Sequence, residues 1–237
     1  MRRGGPRPAL GAAIAVSLVL ACLALAAGNP ARAQGERVAS TLHNLSASGP
    51  GEIRALDETE ICKFCHIPHN AVEPVPLWGH TLSRAEYRVP PVSAADGTRR
   101  PGGQPDGSSR LCLSCHDGTV ALGDIGGQPR STRMAGAQRL TRDRSSYLGT
   151  DLSGSHPISF VVPDGHAPAM DGERDIGLKP RAAIQADGDV RLDAEGKMQC
   201  TSCHDPHADR YYQPGRVPRF WVKPTVQEVC LTCHELR

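Results

Sequence analysis

The sequence predicts a mostly irregular fold with a few short α-helices and minor β structure, and three observations lead to this fold class. Gly supplies 25 and Pro 20 of the 237 residues, close to the level at which low-complexity chains are expected. Aromatic residues make up only 4% of the chain, so little apolar surface is offered for burial. The motif CxxCH occurs four times, and each copy needs a helical turn to bring its Cys pair and His onto one face.

The four CxxCH copies use eight of the nine cysteines. CxxCH is the attachment signal of a c-type haem, in which two thiols add to the vinyl groups of one porphyrin and the His ligates its iron. The sequence therefore predicts four covalently bound haem c groups, and we expect these haems to form the core of a multihaem cytochrome c. The attachment cysteines are Cys62, Cys65, Cys112, Cys115, Cys200, Cys203, Cys230 and Cys233, and the proximal iron ligands are His66, His116, His204 and His234.

Residues 1–33 have the pattern of a secretory signal peptide. Basic residues precede an apolar run over residues 9–27, and an A-x-A cleavage site ends at Ala33. Two alternatives remain open. An uncleaved anchor is one, because a mostly apolar run of about 19 residues can just span a bilayer, and a lipoprotein processed at Cys22 is the other. Cleavage predicts a mature chain from Gln34, without a stable membrane span, that is exported to the periplasm or the cell exterior.

The net charge of the mature chain differs from that of the full sequence. The formal net charge of +2 includes four Arg of the signal segment, and without them 23 basic and 25 acidic residues give −2. No basic cluster is interleaved with aromatic residues, so we expect no nucleic-acid partner.

The spacing of the four motifs predicts how the chain is organised. It indicates an N-terminal haem-binding half over residues 34–125, a long Gly/Pro-rich connecting segment over 126–195, and a C-terminal haem-binding segment over 196–237.

A haem held by one His needs a sixth ligand or leaves an open position where chemistry can occur. Six His remain for the four irons, namely His43, His69, His80, His156, His166 and His207. This surplus favours bis-His ligation at every iron. His69 and His207 each follow a proximal His by three residues, with a Pro between. Such a His does not easily reach its own iron but can reach a neighbouring one; alternatively it binds a haem propionate.

The other two distal ligands are chosen from residues in loops. His43 lies upstream of the first motif, and His156 lies in the long gap between the second and third. Both stand in otherwise featureless segments, and we predict both as distal ligands. His80 is their main competitor, and His166, between Gly165 and Ala167, is a weaker one.

Two local patterns predict how the motifs are carried. Thr225 and Glu228 form a T-x-x-E capping box before the fourth motif, and Asp57 and Glu60 have the same spacing before the first. An Asp-Gly pair within residues 182–193 predicts a β-hairpin.

At these residues the chain resembles the doubled-CxxCH multihaem cytochromes of metal-reducing and other anaerobically respiring bacteria. The length and the haem count are similar to those of OmcE-type tetrahaem cytochromes, which stack end to end into extracellular filaments. The resemblance implies that His43, His69, His156 and His207 are distal ligands and that one ligand reaches across to a neighbouring subunit. The similar stretches are residues 43–51, 60–70, 76–78, 109–120, 155–160 and 199–207.

The leading functional hypothesis is non-catalytic electron transfer through closely packed bis-His haems in anaerobic or extracellular respiration. Its partners are other redox proteins or identical subunits, and no residue is assigned a catalytic role. A small multihaem reductase is an alternative that requires an open distal side on one haem. An electron-transfer subunit of an oxidoreductase complex is another. Zinc sites are a third, since CxxC pairs with nearby His can bind zinc tetrahedrally.

Overall fold

A computed structural model describes residues 37–69, 71, 76–94, 96, 98–126, 128, 130–164, 167–171 and 174–236. The chain divides into two units, Met1–Gln34 and Gly35–Arg237, and only the second contains described residues. The predicted signal segment and His166 therefore lie outside the described residues. Within the described ranges no helix is both long enough and apolar enough to cross a membrane.

The described helices are short. They are α1 (Gly107–His116), α2 (Arg181–Gln185), α3 (Cys200–Cys203) and α4 (Val226–Cys233). Two 3₁₀ turns, Val38–Ser40 and Ile61–Phe64, precede them in the chain. Most of the remaining described residues are turns and irregular segments, so the predicted mostly irregular fold class is confirmed.

The strands are equally short and all their pairings are antiparallel. They are β1 (Arg54–Ala55), β2 (Val92–Ser93), β3 (Arg99–Arg100), β4 (Met134–Ala135), β5 (Phe160–Val161), β6 (Ala167–Asp171), β7 (Arg174–Leu178), β8 (Lys197–Met198) and β9 (His234–Leu236). Three two-stranded sheets join β1 to β4, β2 to β3 and β5 to β8, and a third strand, β9, adds to the β6–β7 hairpin. Because β9 begins at His234, that hairpin anchors the end of the fourth motif.

Among the described residues, buried apolar side chains form three small clusters instead of one core. The first cluster is Ala55, Phe64, Ile67, Leu122, Ile125, Met134 and Leu140. The second is Val162, Ile184, Val190, Met198, Val229 and Cys233. The third is Tyr87, Leu113 and Leu152. Motif residues lie in or against the first two clusters, so the apolar side chains of the protein are concentrated around the motifs.

The helices that carry the second and fourth motifs have identifiable ends. The Thr225 side chain accepts a hydrogen bond from the Glu228 N–H at 3.2 Å at the start of α4, which confirms the predicted N-cap. Gly118 follows α1 with a φ of +74° and donates its N–H to the Cys115 carbonyl at 3.1 Å. A left-handed residue at this position favours glycine and ends the helix directly after its motif.

Two local predictions were wrong. The first half of the expected hairpin over residues 182–193 is α2. Asp187 follows α2, and its carboxylate accepts the N–H groups of Asp189 and Val190 at 2.9 Å, a local turn that replaces strand pairing. Asp57 does not cap the first motif, because its carboxylate binds Arg133 at 2.7 Å.

Candidate haem sites

Each CxxCH motif lies on one turn of helix. The second and fourth motifs end α1 and α4, the third is α3 with the His directly after it, and the first spans the Ile61–Phe64 turn. In the first motif the His66 N–H donates to the Cys62 carbonyl at 2.8 Å. This winding brings the two thiols and the imidazole of a motif to one side of the chain, as attachment to a single porphyrin requires.

Three proximal His have the orientation and tautomer of a metal ligand. The Nδ1 of His66 lies 2.8 Å from the Pro76 carbonyl oxygen, that of His116 lies 2.8 Å from the Ser146 oxygen, and that of His204 lies 3.0 Å from the Arg219 oxygen. A carbonyl only accepts, so Nδ1 carries the proton and Nε2 keeps its lone pair. Metal-ligating His residues are held in this way.

Three proximal His also face a second imidazole at one common spacing. A metal–nitrogen bond is about 2.0 Å long and a ring centroid lies about 1.1 Å beyond its nitrogen, so two imidazoles on one metal have centroids about 6.2 Å apart. The observed centroid separations are 6.2 Å for His66–His207, 6.1 Å for His116–His43 and 6.2 Å for His234–His156. These three pairs can each hold one iron between them.

The ring planes of the three pairs differ. The His66–His207 planes are nearly parallel, at 14°. The His116–His43 and His234–His156 planes cross at 69° and 67°. The three sites thus share a spacing but not a relative ring orientation.

Two of the predicted distal His have supporting contacts of their own. His43 Nδ1 lies 3.0 Å from the Pro206 carbonyl oxygen, and His156 Nδ1 lies 2.8 Å from the Pro157 oxygen. Burial lowers the pKa of His43 to about 4, which keeps its ring neutral at neutral pH, as iron ligation requires. His43, His156 and His207 each lie against a proximal His.

His69 is placed differently from the other predicted ligands. Its side chain is exposed, and its ring makes no hydrogen bond or ring contact with any described residue. Conversely, His204 has the Trp221 ring edge-on at 5.0 Å, but in the described part of the chain no second imidazole lies at the common spacing from it. Among the described residues, His204 and His69 are therefore the proximal and the predicted distal His that do not face a second imidazole at this spacing.

His80 is fully buried and both of its nitrogens face backbone carbonyls. Nδ1 lies 3.0 Å from the Thr81 oxygen and Nε2 lies 3.1 Å from the Ala121 oxygen. Burial lowers the pKa of His80. A neutral ring can donate to only one of these carbonyls, and the Cys115 Sγ also lies 3.5 Å from Nε2. Both nitrogens are thus enclosed by protein atoms, which leaves neither of them open to a metal.

The first and third motifs are followed by the same local structure, which the sequence analysis missed. Each is CxxCHxPH, and each His forms a β-bridge with a later Trp: His66 with Trp78 and His204 with Trp221. The Trp ring stands edge-on to the His ring in both, at interplanar angles of 87° and 79°. The recurring order CxxCHxPH and then Trp was the available sequence signal.

The backbone of the two copies matches in detail. The residue before each Trp, Leu77 or Phe220, has a left-handed φ of 62° or 61°. Its carbonyl accepts the N–H of the residue after the motif His, Ile67 or Asp205, at 3.0 and 2.8 Å. We call these two segments, residues 62–79 and 200–222, the first and second copy.

A buried donor supports the fit of haem to these sites. The Trp78 Nε1 is buried and has no hydrogen-bond partner among the described residues. Buried polar groups are almost always satisfied, and an indole N–H can only donate. Trp78 stands against His66, so a carboxylate-bearing porphyrin held there would supply the acceptor.

Three of the attachment thiols are kept protonated by their burial. Burial raises the pKa of Cys65 to about 11 and those of Cys115 and Cys203 to about 12. A protonated thiol is a poor nucleophile and a poor zinc ligand. In the described ranges no three His, Cys, Asp or Glu side chains converge as a metal cluster would require.

Thiols of different motifs also approach one another. The Cys112 and Cys200 thiols are hydrogen-bonded, which raises the pKa of Cys112 and lowers that of Cys200. Helix α1 packs on α3 at this point, where the hydroxyls of Ser108 and Thr201 lie 2.7 Å apart. The second and third motifs are therefore adjacent.

Comparison with known families adds one match. The sequence model of the doubled CXXCH motif matches residues 194–236, which contain the third and fourth motifs. No curated protein shows significant similarity to the chain. The match supports covalent haem c binding and a multihaem c-type cytochrome in electron transfer.

Proposed function

We propose that the protein is an exported tetrahaem c-type cytochrome that carries electrons in anaerobic or extracellular respiration. The observation that carries the proposal is the common spacing of 6.1–6.2 Å between three motif His and three further His. Bound haem supplies one-electron redox chemistry at iron. The residues of the chain attach the porphyrins, ligate the irons and orient the ligands.

The distal ligands are assigned from the same spacing. In this proposal His207 ligates the iron of His66, His43 that of His116, and His156 that of His234. His207 follows the third motif and yet serves the first. A distal ligand that follows one motif and serves another brings the two haems close together, which suits electron transfer between them.

The attachment cysteines support a continuous series of haems. Burial raises the pKa of Cys115 most, and Cys65 of the first motif raises it further, which indicates that these two thiols lie near each other. Burial is also the largest cause of the raised pKa of Cys203, and Cys233 of the fourth motif is the next. Together with the contact of the second motif and the third, every consecutive pair of motifs has neighbouring thiols.

The haem count is the first test. We expect a pyridine haemochrome assay and intact mass to give four haems per chain. A variant with Cys112→Ala and Cys115→Ala should retain three, since only one attachment site is removed. A purified chain without covalent haem, or with the same count in the variant, would contradict the proposal.

We further propose that the protein is a filament protomer in which His69 ligates the iron of His204 in a neighbouring copy. His69 is exposed, and among the described residues neither His69 nor His204 faces a second imidazole. The proposal makes one haem site incomplete in a single chain. Assembly of copies end to end would then complete it and extend the series of haems.

Two matched variants test this assembly, since His69 and His207 occupy the same position after CxxCHxP. His69→Ala should abolish filaments in cryo-EM images. His207→Ala should leave the His69 contact intact, so filaments persist with one altered haem within each copy. Dilution of the wild type to single chains should convert one haem to high spin. Four low-spin haems in dilute single chains would exclude a ligand shared between copies.

A small multihaem reductase is the second candidate, favoured by the missing second imidazole at His204. If the distal side of that iron is open in the assembled protein, a small oxyanion can bind there. A high-spin ferric band that shifts on addition of cyanide to assembled protein would support a reductase. Fully low-spin spectra that are insensitive to cyanide would exclude it and leave electron transfer, either as a filament or within an oxidoreductase complex.

A further inference from the structure

Asp209 is a buried carboxylate that binds two successive residues of the loop before α4. Its side chain is 8% exposed. It accepts a hydrogen bond from the Arg219 guanidinium at 2.6 Å and another from the Phe220 N–H at 2.7 Å. The Arg219 guanidinium also lies 3.7 Å from the centroid of the Tyr212 ring. These contacts fix the position of Arg219 and Phe220.

Arg219 and Phe220 each contact a His of a different haem site. The Arg219 carbonyl accepts from His204 Nδ1 at 3.0 Å. The Phe220 ring stacks on His43, with centroids 4.1 Å apart and planes at 10°. His43 faces His116, whereas His204 belongs to the third motif. The Asp209 carboxylate thus holds Phe220 against the distal His43 of one site. It also holds Arg219 against the proximal His204 of another.

The backbone at Phe220 needs this support. Its φ of 61° lies in the left-handed region, which is unfavourable for a bulky residue unless the surroundings determine it. The bond from its N–H to Asp209 is such a constraint. Leu77 has the same conformation in the first copy, but no described carboxylate is bonded to its N–H. The Asp209 arrangement therefore distinguishes the second copy from the first.

Building on the proposed function, we propose that Asp209 is a positioning residue that sets the orientation of His43 and His204 together and so adjusts two haem irons from one point. It touches neither ligand and acts through the Phe220 ring and the Arg219 carbonyl. The plane of an axial imidazole affects the anisotropy of a low-spin ferric haem. The acceptor on Nδ1 affects how strongly the ligand donates to iron. Loss of Asp209 therefore changes both sites.

Three substitutions separate the parts of this arrangement. Asp209→Ala removes both contacts of the carboxylate. Asp209→Asn keeps an acceptor for the Phe220 N–H but removes the charge that pairs with Arg219. Asp209→Glu restores the charge. The matched control is Asp187→Asn, which removes another poorly exposed carboxylate, bound to Lys223 at 2.8 Å and to neither Arg219 nor Phe220.

The readouts are the EPR spectrum of the oxidised protein and the midpoint potential of each haem, taken after a haem count on every variant. We expect Asp209→Ala to shift the signals and potentials of the His43 and His204 haems and to leave the other two unchanged. Asp209→Glu should recover the wild-type values, and Asp187→Asn should leave the signals and potentials of the His43 and His204 haems unchanged. Unchanged signals in fully loaded Asp209→Ala, or the same shifts in Asp187→Asn, would overturn the proposal.

A second variant covers the case in which Asp209→Ala does not fold. Phe220→Leu removes the ring stacked on His43 and keeps Asp209, so it should shift the His43 haem alone. No shift there would overturn the proposal as well. A wild-type chain with fewer than four haems would instead refute the proposed function, so the two failures are distinguishable.

Discussion

At the scale of single residues, the two Trp of the copies differ in one respect that matters for function. Both rings stand edge-on to a motif His. The Trp221 Nε1 donates to the Thr225 carbonyl at 3.1 Å, whereas the Trp78 Nε1 is buried without a described partner. Only Trp78 is therefore expected to donate to a haem propionate.

This difference predicts unequal effects of Trp→Phe substitutions. Trp78→Phe keeps an aromatic ring against His66 but leaves the propionate more negative, which stabilises ferric iron, so the midpoint potential of one haem should fall. Trp221→Phe is the matched control. It should leave all potentials unchanged, because the hydrogen bond that it removes is made to a backbone carbonyl and not to a propionate. Spectroelectrochemical titration of both variants gives the answer, and equal shifts would show that the ring and not the donor matters.

At the scale of elements, an ion pair joins the turn after α2 to the segment before α4. Lys223 donates to Asp187 at 2.8 Å, and the two side chains are 16% and 21% exposed. Burial would raise the pKa of Asp187, but the bond from Lys223 and the N–H groups of Val190 and Asp189 outweigh it and hold this pKa at about 2. The lowered pKa means that the ionised carboxylate stabilises the folded protein.

The stabilisation by ionised Asp187 should be fully present above the ordinary pKa of Asp. It should be lost as the pH falls through the pKa that Asp187 has in the folded protein. Asp187→Asn should therefore lower the free energy of unfolding by about 1 kcal/mol at pH 7, after allowance for solvent screening. The difference from wild type should vanish between about pH 4 and pH 2. Guanidinium unfolding at several pH values measures this.

Thr225→Ala is a suitable comparison for that series. It removes the N-cap of α4 and should cost about 1 kcal/mol. Because no titrating group is lost, its cost should stay constant over the same pH range. A constant cost for Asp187→Asn as well would mean that the ion pair does not depend on ionisation of Asp187.

The elements also show what the sequence could and could not predict. Thr225 was predicted correctly because a cap depends on residues three apart. Asp187 was misread because the same Asp-Gly pair fits either a hairpin or a turn after a helix, and tertiary contacts with Lys223 decide between them. The CxxCH residues were evident as a local motif. The pairing of distal His was not, since His66 and His207 are far apart in the chain.

At the scale of the whole molecule, the apolar clusters are small for a chain of this length. The largest in the described part of the chain contains seven buried residues, and much of that part lacks regular secondary structure. The ordering entropy of so many irregular residues is large compared with what such clusters offset. Covalent haems would add the missing apolar surface.

The haem-free chain should accordingly be largely unfolded. Removal of haem by cleavage of the thioether bonds should abolish near-UV circular dichroism and make the chain sensitive to limited proteolysis at many sites. The untreated holoprotein serves as the control under the same buffer and reagent conditions. A haem-free chain that keeps a protease-resistant fragment from residue 37 onwards would show that the apolar clusters suffice alone.

The three His pairs have a mechanical consequence once an iron joins each of them. The loops that they close run from residue 43 to 116, from 66 to 207 and from 156 to 234, and each overlaps the next. A pulling force applied at the two ends of the described chain would therefore pass through iron–nitrogen bonds before it reached most of the hydrogen bonds. The tensile strength of such a chain would be set by its coordination chemistry, and ligand exchange at iron would be its point of rupture.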